Sequence, residues 1–207
     1  MHFWVNKASQ EFMMHNVQLS SGSAVSIMQR FRNLISDDVN QNPVQIGGPG
    51  VVVEVDESMF CRRKASAGQE EKEVWVFGGV ERTNERNLFL LVVPDRKRET
   101  LLQIIAANVK SGSTIHSDCF KSYNNLAEHL KEYGVNDIEH HSVNQQENFV
   151  DPISKASINT IAGTWNGIKM TIAPRNRTPD ELQEHLNEFV RHLHGVGFSG
   201  TTEIDSG

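Results

Sequence analysis

Two aspartates occupy positions where paired carboxylates could do metal chemistry. Asp56 closes a valine-rich run in the segment VEVDES, and Asp118 closes a second run in the segment IHSDCF. If the runs are neighbouring strands, their ends bring two like charges together, which is costly unless a cation neutralises them. Mg²⁺ or Mn²⁺ accepts such oxygen ligands, and two ions can flank a phosphate during in-line displacement. The alternative for each aspartate alone is a turn residue at a strand end.

A site of this kind needs a third ligand from a helix, and the helix predicted over Ser157–Ile172 is the candidate. Ala162 lies three residues before Trp165 and seven before Lys169, so these residues share the helix side that faces the sheet. Alanine has no ligating atom, so the predicted site contains two carboxylates and lacks a third. Trp165 is expected to fill the core or shape the floor of the site. Lys169 is either a phosphate contact or part of a solvated helix face.

Other kinds of site find less support in the sequence. A zinc cluster could be assembled from Cys61, His116, Asp118, Cys119, His140 and His141. Their spacing matches no zinc-finger pattern. No glycine-rich phosphate loop is recognised, because Gly47–Gly50 precedes a strand rather than a helix, and no nucleophile-elbow pattern supports a hydrolase triad.

The elements that must position the two aspartates follow from the hydrophobic periodicity. The predicted strands are 51–55, 74–80, 88–93, 114–116 and 138–143. The predicted helices are 99–109, 123–133, 157–172 and 180–194. The first three strands are predicted to form an antiparallel meander, and helices and strands alternate after them. This order predicts an α/β fold with an RNase H-like mixed sheet and flanking helices, in which the first and fourth strands are neighbours.

The N-terminal part has a different character. Residues 1–36 are predicted to form a short helical piece, with one helix around Gln10–Val17 and a second, capped by Ser21 or Ser23, through Ile35. This pair is either the end of a helix-turn-helix unit or an ordinary helical hairpin. Residues 37–50, rich in Asn, Gly and Pro, are predicted to be a linker. Residues 51–194 form the predicted RNase H-like domain, and residues 195–207 a flexible tail.

Six sequence blocks, in order, resemble the transposase domain of Merlin/ISXO-type insertion elements, an RNase H-like fold of the DDE superfamily. The blocks are IGGPGVVVEVDES, VWVFGGVER, VPDRKRETLLQII, TIHSDCFKSYNNL, HHSVNQQENFVDP and NTIAGTWNGIK. The resemblance covers residues 46–194. It implies that Asp56 and Asp118 are the first two catalytic, metal-binding aspartates. The third acidic residue, a glutamate in the family pattern N-x-I-E-x-x-W, falls on Ala162.

The resemblance also implies supporting roles for Asn159, Trp165 and His141 near the site. The implied substrate is DNA, the implied cofactor Mg²⁺ or Mn²⁺, and self-association is an expectation. The family tends to have His and Thr where this chain has Ser157 and Ile158. Drift in a decaying or domesticated copy would explain all three departures, whereas engineered inactivation would explain Ala162 alone. Relocation of the ligand to Glu57, Asn159 or Asn166 is the third possibility.

The charge distribution bears on DNA binding. The net charge of −6 counts against a dedicated DNA-binding surface, but a local basic stripe can still meet phosphate. The predicted DNA contacts are Arg62, Arg63, Lys64, Lys169 and Arg175. A second basic cluster is Arg96-Lys97-Arg98, and solvated turns are the alternative for each cluster.

The remaining composition limits the location of the protein. A hydrophobic content of 38% with 22% charged residues predicts a packed core rather than disorder. No apolar run has the length of a membrane span, and the first residues do not resemble a signal peptide. Cys61 and Cys119 form no disulfide framework. We therefore expect a nuclear or cytoplasmic protein, neither secreted nor in a membrane, with no small-molecule cofactor.

Together these observations predict a transposase-derived domain for DNA cleavage and strand transfer by a metal-dependent DDE mechanism, impaired at Ala162. The alternative is a domesticated, non-catalytic module that binds DNA or another protein.

Overall fold

A computed structural model describes residues 14–16, 18–63, 72–144 and 156–193. The strands are β1 (Ile46–Gly47), β2 (Val52–Arg63), β3 (Lys72–Glu81), β4 (Leu88–Val93), β5 (Val109–Lys110), β6 (Thr114–Asp118) and β7 (Glu139–Val143). The α-helices are α1 (Ser21–Gln41), α2 (Arg98–Asn108), α3 (Leu126–Glu132), α4 (Asn159–Thr171) and α5 (Pro179–Leu193), with 3₁₀ turns at Lys121–Tyr123 and Pro174–Asn176. Within these ranges no helix is long and apolar enough to cross a membrane.

Five strands form one mixed sheet in the order β4-β3-β2-β6-β7. β2 pairs antiparallel with β3, and β3 antiparallel with β4, which confirms the predicted meander. β6 pairs parallel with β2 on one side and with β7 on the other. The predicted RNase H-like mixed α/β fold is confirmed, and the first and fourth strands of the predicted order are neighbours.

Apolar layers cover both faces of the sheet, because successive side chains of a strand point to opposite sides. On one face the core is formed with α2 and α3 by Val53, Val55, Phe77, Leu101, Ile105, Leu126 and Leu130. On the other face the core is formed with α4 and α5 by Phe60, Val76, Ile161, Trp165, Ile168, Leu182 and Leu186. Helix α4, from which the sequence analysis expected a third ligand, therefore packs against the central strands.

Part of the segment predicted as a linker, residues 37–50, has regular secondary structure. Helix α1 begins behind Ser20, whose side chain accepts a hydrogen bond from the backbone N–H of Ser23, and it continues to Gln41. After Gly22, in the first turn, no proline or glycine occurs before Pro43, so the helix continues beyond the apolar repeat. At the other end of the segment, β1 pairs parallel with β5. The division of the chain into domains stays a prediction.

The N-terminal helix-turn-helix hypothesis also stays a prediction, since most of its first helix lies outside the described residues. Only Met14–Asn16 of that helix are described, and they are helical. Helix α1 packs on α5 through polar contacts, including Arg32 with Glu188 at 3.7 Å and the Asn187 amide with Ser36 Oγ at 3.1 Å. This face of α1 belongs to the fold and meets a helix of the same chain.

Strand β2 is longer than predicted, and Asp56 does not close it. β2 continues to Arg63 as the first arm of a hairpin with β3, and the register shifts between Met59 and Cys61. β6 accompanies β2 only as far as Glu54. Asp56 therefore lies just beyond the point where the pairing with β6 ends, while β3 and β4 continue on the other side of β2.

Gly78, opposite Asp56 in the sheet, makes room for Trp165. A methyl group on Gly78 would lie 2.8 Å from Cη2 of Trp165, 2.9 Å from a methyl of Leu90 and 3.1 Å from the carbonyl oxygen of Phe89. The backbone oxygen cannot move freely, so the clash must be relieved by displacing the indole or the strand.

We predict that Gly78→Ala lowers the free energy of unfolding by about 1–3 kcal/mol, since overpacking forces side chains and backbone to shift. Urea denaturation measures this change. Gly163→Ala in α4 is the matched control, because nothing lies within 4 Å of its added methyl group. That control should gain roughly 0.5–1 kcal/mol of stability from the higher helix propensity of alanine. Equal effects at the two glycines would contradict the packing described for Trp165.

Candidate metal site

Asp56 and Asp118 lie on the two central, parallel strands. The register pairs Val52 with Thr114 and Glu54 with His116, so two residues further along both strands come Asp56 and Asp118. Residues in parallel register point to the same face of a sheet, and here that is the face covered by α4. The structure thus brings together the two carboxylates that the sequence singled out.

The carboxylate of Asp56 is held against α4. The indole Nε1 of Trp165 donates a hydrogen bond of 3.0 Å to Oδ2 of Asp56. Burial, assisted by the charge of Asp118, raises the pKa of Asp56 to about 6, although the hydrogen bond from Trp165 opposes this shift. The negative charge at Asp56 is therefore only partly compensated by its protein neighbours.

Asp118 ends β6 and begins the following turn. Its Oδ1 accepts a hydrogen bond of 2.9 Å from the backbone N–H of Phe120. Asp118 therefore also acts as a turn residue at the end of a strand, which was the alternative interpretation from the sequence. A carboxylate has lone pairs beyond the one used here, so the bond to Phe120 does not prevent Asp118 from acting as a ligand.

The N-terminus of α4 is fixed to β2 by Glu54, which is fully buried. Its carboxylate accepts hydrogen bonds from the backbone N–H groups of Thr160 and Ile161, at 2.8 and 3.0 Å, and from the Thr160 hydroxyl at 3.0 Å. Helix α4 has no side-chain cap of its own. Glu54 acts as that cap from a neighbouring strand, and its charge suits the positive end of the helix dipole.

Arg82 neutralises the buried charge of Glu54. Its Nε donates to Oε1 of Glu54 at 2.5 Å, and its Nη2 donates to the carbonyl and the hydroxyl oxygen of Ser157. His116 contacts the backbone of the same serine from β6. The segment that leads into α4 is therefore bound to β6 and to the end of β3.

Sequence reasoning missed both Glu54 and Arg82 as organising residues. A signal was present, because Glu54 and Asp56 are two residues apart in a predicted strand and so share a face. An acidic residue on the buried face of a central strand requires a partner, but the sequence did not indicate that the partner is a helix end together with Arg82.

Ala162 lies on the side of α4 that faces Asp56. The contacts of the helix advance along β2: Ile161 meets Glu54, Trp165 meets Asp56, and the Lys169 amine donates to Ser58 Oγ at 2.7 Å. Ala162 is half-buried and shares the stripe of Trp165 and Lys169. A longer acidic side chain at this position would extend towards the two aspartates.

The residues present do not form a complete magnesium or manganese site. Asp56 and Asp118 provide the hard oxygen atoms that these cations prefer, but Ala162 presents a methyl group. Across the described ranges no group of three or more His, Cys, Asp or Glu side chains is arranged to hold a metal ion. The zinc cluster considered from the sequence is therefore not assembled among those residues either.

Glu57, which the sequence offered as a relocated third ligand, points away from Asp56. It follows Asp56 directly and points to the opposite face of β2, where its Oε2 accepts a hydrogen bond of 2.5 Å from the hydroxyl of Tyr123. Burial raises the pKa of Glu57 to about 7. The other two residues considered as relocated ligands, Asn159 and Asn166, are exposed.

The remaining predicted residues are spread over the surface. His141 lies beside His116 in the sheet, with ring centroids 5.7 Å apart, and its Nε2 contacts Glu139 at 2.9 Å. Arg62 forms an ion pair with Glu73 at 2.6 Å, and Arg175 is exposed in a 3₁₀ turn. The side chain of Arg63 and the whole of Lys64 lie outside the described part of the chain. Lys169, bound to Ser58, is the predicted DNA contact that lies nearest the two aspartates along α4.

A five-stranded mixed sheet with carboxylates on adjacent central strands and a helix across them defines an RNase H-like domain. The family model of the ISXO2-like transposase domain matches residues 45–192, and the chain belongs to this family. It is also 31% identical over 104 residues to a Haemophilus influenzae protein described as an uncharacterized transposase-like protein. That alignment covers 50% of this chain and 75% of the relative.

We predict that Asp56→Asn stabilises the protein more at pH 7.5 than at pH 4. The pKa of Asp56 in the folded protein, about 6, lies above its ordinary value of 3.8. The protonated form therefore favours folding below pH 3.8, and this contribution is lost as the pH rises through 6. Asparagine carries no charge and keeps an oxygen for Trp165. The free energy of unfolding that Asp56→Asn gains over the unmodified protein should therefore be larger at pH 7.5 than at pH 4, by on the order of 2 kcal/mol.

Urea denaturation at several pH values measures the gain. Asp137→Asn, at an exposed turn, is measured alongside as the control for the substitution itself. A gain for Asp56→Asn that is constant with pH would contradict the burial of an uncompensated charge at Asp56.

Proposed function

We propose that this protein is a DNA-binding domain of the transposase family whose DDE centre for DNA cleavage and strand transfer is impaired. Membership of the ISXO2-like family supports DNA as the substrate, and the paired aspartates support an ancestral reaction dependent on Mg²⁺ or Mn²⁺. Asp56 and Asp118 would be two of the three acidic ligands. Ala162 occupies the position of the third.

The proposal that the catalytic centre is impaired rests on one observation: α4 is in place, and its side chain at position 162 is a methyl group. The helix is bound to β2 through Glu54 and Trp165, so the deficiency is not explained by a displaced helix. Because Mg²⁺ demands near-ideal octahedral geometry, loss of one charged ligand weakens its binding.

The neighbouring departures from the family pattern support drift rather than a single engineered change. Ile158 is buried in the core under α4, and Ser157 receives the hydrogen bonds of Arg82. Both residues are integrated into packing and hydrogen bonding. A chain that lost selection for cleavage while retaining selection for its fold would change in this way.

The alternative function is a non-catalytic module that binds a protein rather than DNA. The acidic net charge of −6 favours this protein-binding alternative. DNA affinity separates the two proposals. Phosphate contacts are strongest at low salt, and absence of binding to a DNA duplex under that condition would favour the protein-interaction module.

We predict that the protein shows no divalent-dependent nicking or strand transfer on DNA, and that Ala162→Glu gains such activity with Mg²⁺ or Mn²⁺. The glutamate would supply the third carboxylate on a helix that is already positioned. Gel assays on supercoiled plasmid and on labelled duplex ends measure both reactions. The double variant Asp56→Asn/Ala162→Glu is the control and should be inactive. Activity of the unmodified protein that Asp56→Asn abolishes would overturn the impaired assignment.

A further inference from the structure

Arg96, in the loop between β4 and α2, carries a charge that two aromatic rings hold in place. Its guanidinium carbon lies 3.7 Å from the ring centroid of Trp75 and 5.2 Å from that of Phe120. The two rings fix the plane of the guanidinium group by cation–π contacts. Among the described residues, no oxygen accepts a hydrogen bond from its N–H groups. The guanidinium N–H groups of Arg96 can therefore donate hydrogen bonds to an acceptor outside the domain.

The loop that carries Arg96 is itself fixed. Oδ1 of Asp95 accepts hydrogen bonds from the backbone N–H of Lys97 at 3.0 Å and from the Thr100 hydroxyl at 2.7 Å. The hydroxyl of Ser122, from the segment after β6, donates to the carbonyl oxygen of Arg96 at 2.9 Å. The backbone of this arginine is therefore bound to the segment that follows Asp118.

Three further cations surround Arg96: Lys97, Arg98 and Lys121. Nη2 of Arg98 donates to the carbonyl oxygen of Lys121 at 3.4 Å, which joins the two segments. We name these four residues the basic corner. Asp95 lies 3.5 Å from the Lys97 amine, and the charge of Arg96 also acts on Glu57 and Glu73. The corner thus concentrates four cations, with these three carboxylates close by, on a protein whose net charge is −6.

The basic corner adjoins the candidate metal site. The ring that lies against Arg96 belongs to Phe120, whose backbone N–H is bonded to Oδ1 of Asp118. The charge of Arg96 also acts on Glu57, where it opposes the burial that raises the pKa of that carboxyl. Trp75, Arg96 and Glu57 lie on the face of the sheet opposite to the two aspartates, so a polyanion must pass around the ends of β2 and β6 to reach both.

We propose that Arg96, held between Trp75 and Phe120, contacts a backbone phosphate of DNA that lies across the edge bearing Asp56 and Asp118. This inference rests on the proposed DNA-binding function and adds a residue outside the predicted contacts. A planar guanidinium matches phosphate oxygens in a forked geometry, and a stacked arginine loses little freedom on binding. Free inorganic phosphate offers the same chemistry, so the experiment must separate it from DNA.

Binding of a short labelled duplex, titrated by fluorescence anisotropy at several salt concentrations, tests the proposal. Arg96→Gln should weaken binding by about fivefold or more and reduce the slope of log affinity against log salt by about one. Arg96→Lys should retain the slope, since it keeps the charge, and lose about twofold to threefold in affinity through the lost stacking and fork geometry. Lys110→Gln is the matched control, because Lys110 is exposed near the start of β6, at the far end from Asp118.

The outcomes separate the possibilities. If the unmodified protein binds DNA and Arg96→Gln equals Lys110→Gln in affinity and slope, this inference is overturned while the proposed function stands. If the unmodified protein does not bind DNA at low salt, both are overturned. If inorganic phosphate alone raises the melting temperature of the protein but not of Arg96→Gln, and the duplex does not, the assignment to DNA is overturned. The inference is supported if Arg96→Gln has a smaller slope of log affinity against log salt while its melting temperature stays near that of the unmodified protein.

Discussion

The candidate site depends on the buried carboxylate of Glu54. Two charges removed from water cost several kcal/mol each, and their attraction compensates only when further hydrogen bonds satisfy the remaining lone pairs. Here Arg82 supplies the opposite charge, while Thr160 and Ile161 supply N–H groups that α4 would otherwise leave unpaired. One side chain therefore sets both the position and the register of α4 on β2, two residues before Asp56.

From that anchor the helix meets the sheet at regular intervals. Trp165 bonds Asp56 and Lys169 bonds Ser58, one helical turn apart. Gly78 leaves the space that the indole occupies. Asp56 and Asp118 come together beside this helix, whose half-buried residue 162 is alanine. Burial is the main reason why the pKa of Asp56 is raised to about 6, and the charge of Asp118 adds to the effect. Hydrogen bonds from Trp165 and from the backbone of Glu57, and the charge of Lys169, oppose it.

The fold was largely predictable because its elements have strong apolar patterns, as in the valine-rich run before Asp56 and the apolar run Leu88–Val93. The boundaries were less predictable, because tertiary pairing decides them. β2 extends beyond Asp56 through its hairpin with β3, and α1 extends beyond Ile35 because nothing in the sequence ends it before Pro43. Glu54 and Arg82 were missed for a related reason: a buried ion pair between β2 and the loop after β3 leaves no periodic signature. The basic corner also depends on a long-range contact, since Trp75 and Phe120 are far from Arg96 in sequence.

The most direct test of the account is Mn²⁺ binding, followed by electron paramagnetic resonance and calorimetry on the unmodified protein, Ala162→Glu and Asp56→Asn/Ala162→Glu. If α4 is correctly placed and lacks only a carboxylate, Ala162→Glu should bind Mn²⁺ at least about tenfold more tightly than the unmodified protein. The double variant should lose this gain. Equal Mn²⁺ affinity for the unmodified protein and Ala162→Glu would contradict the claim that position 162 completes the site.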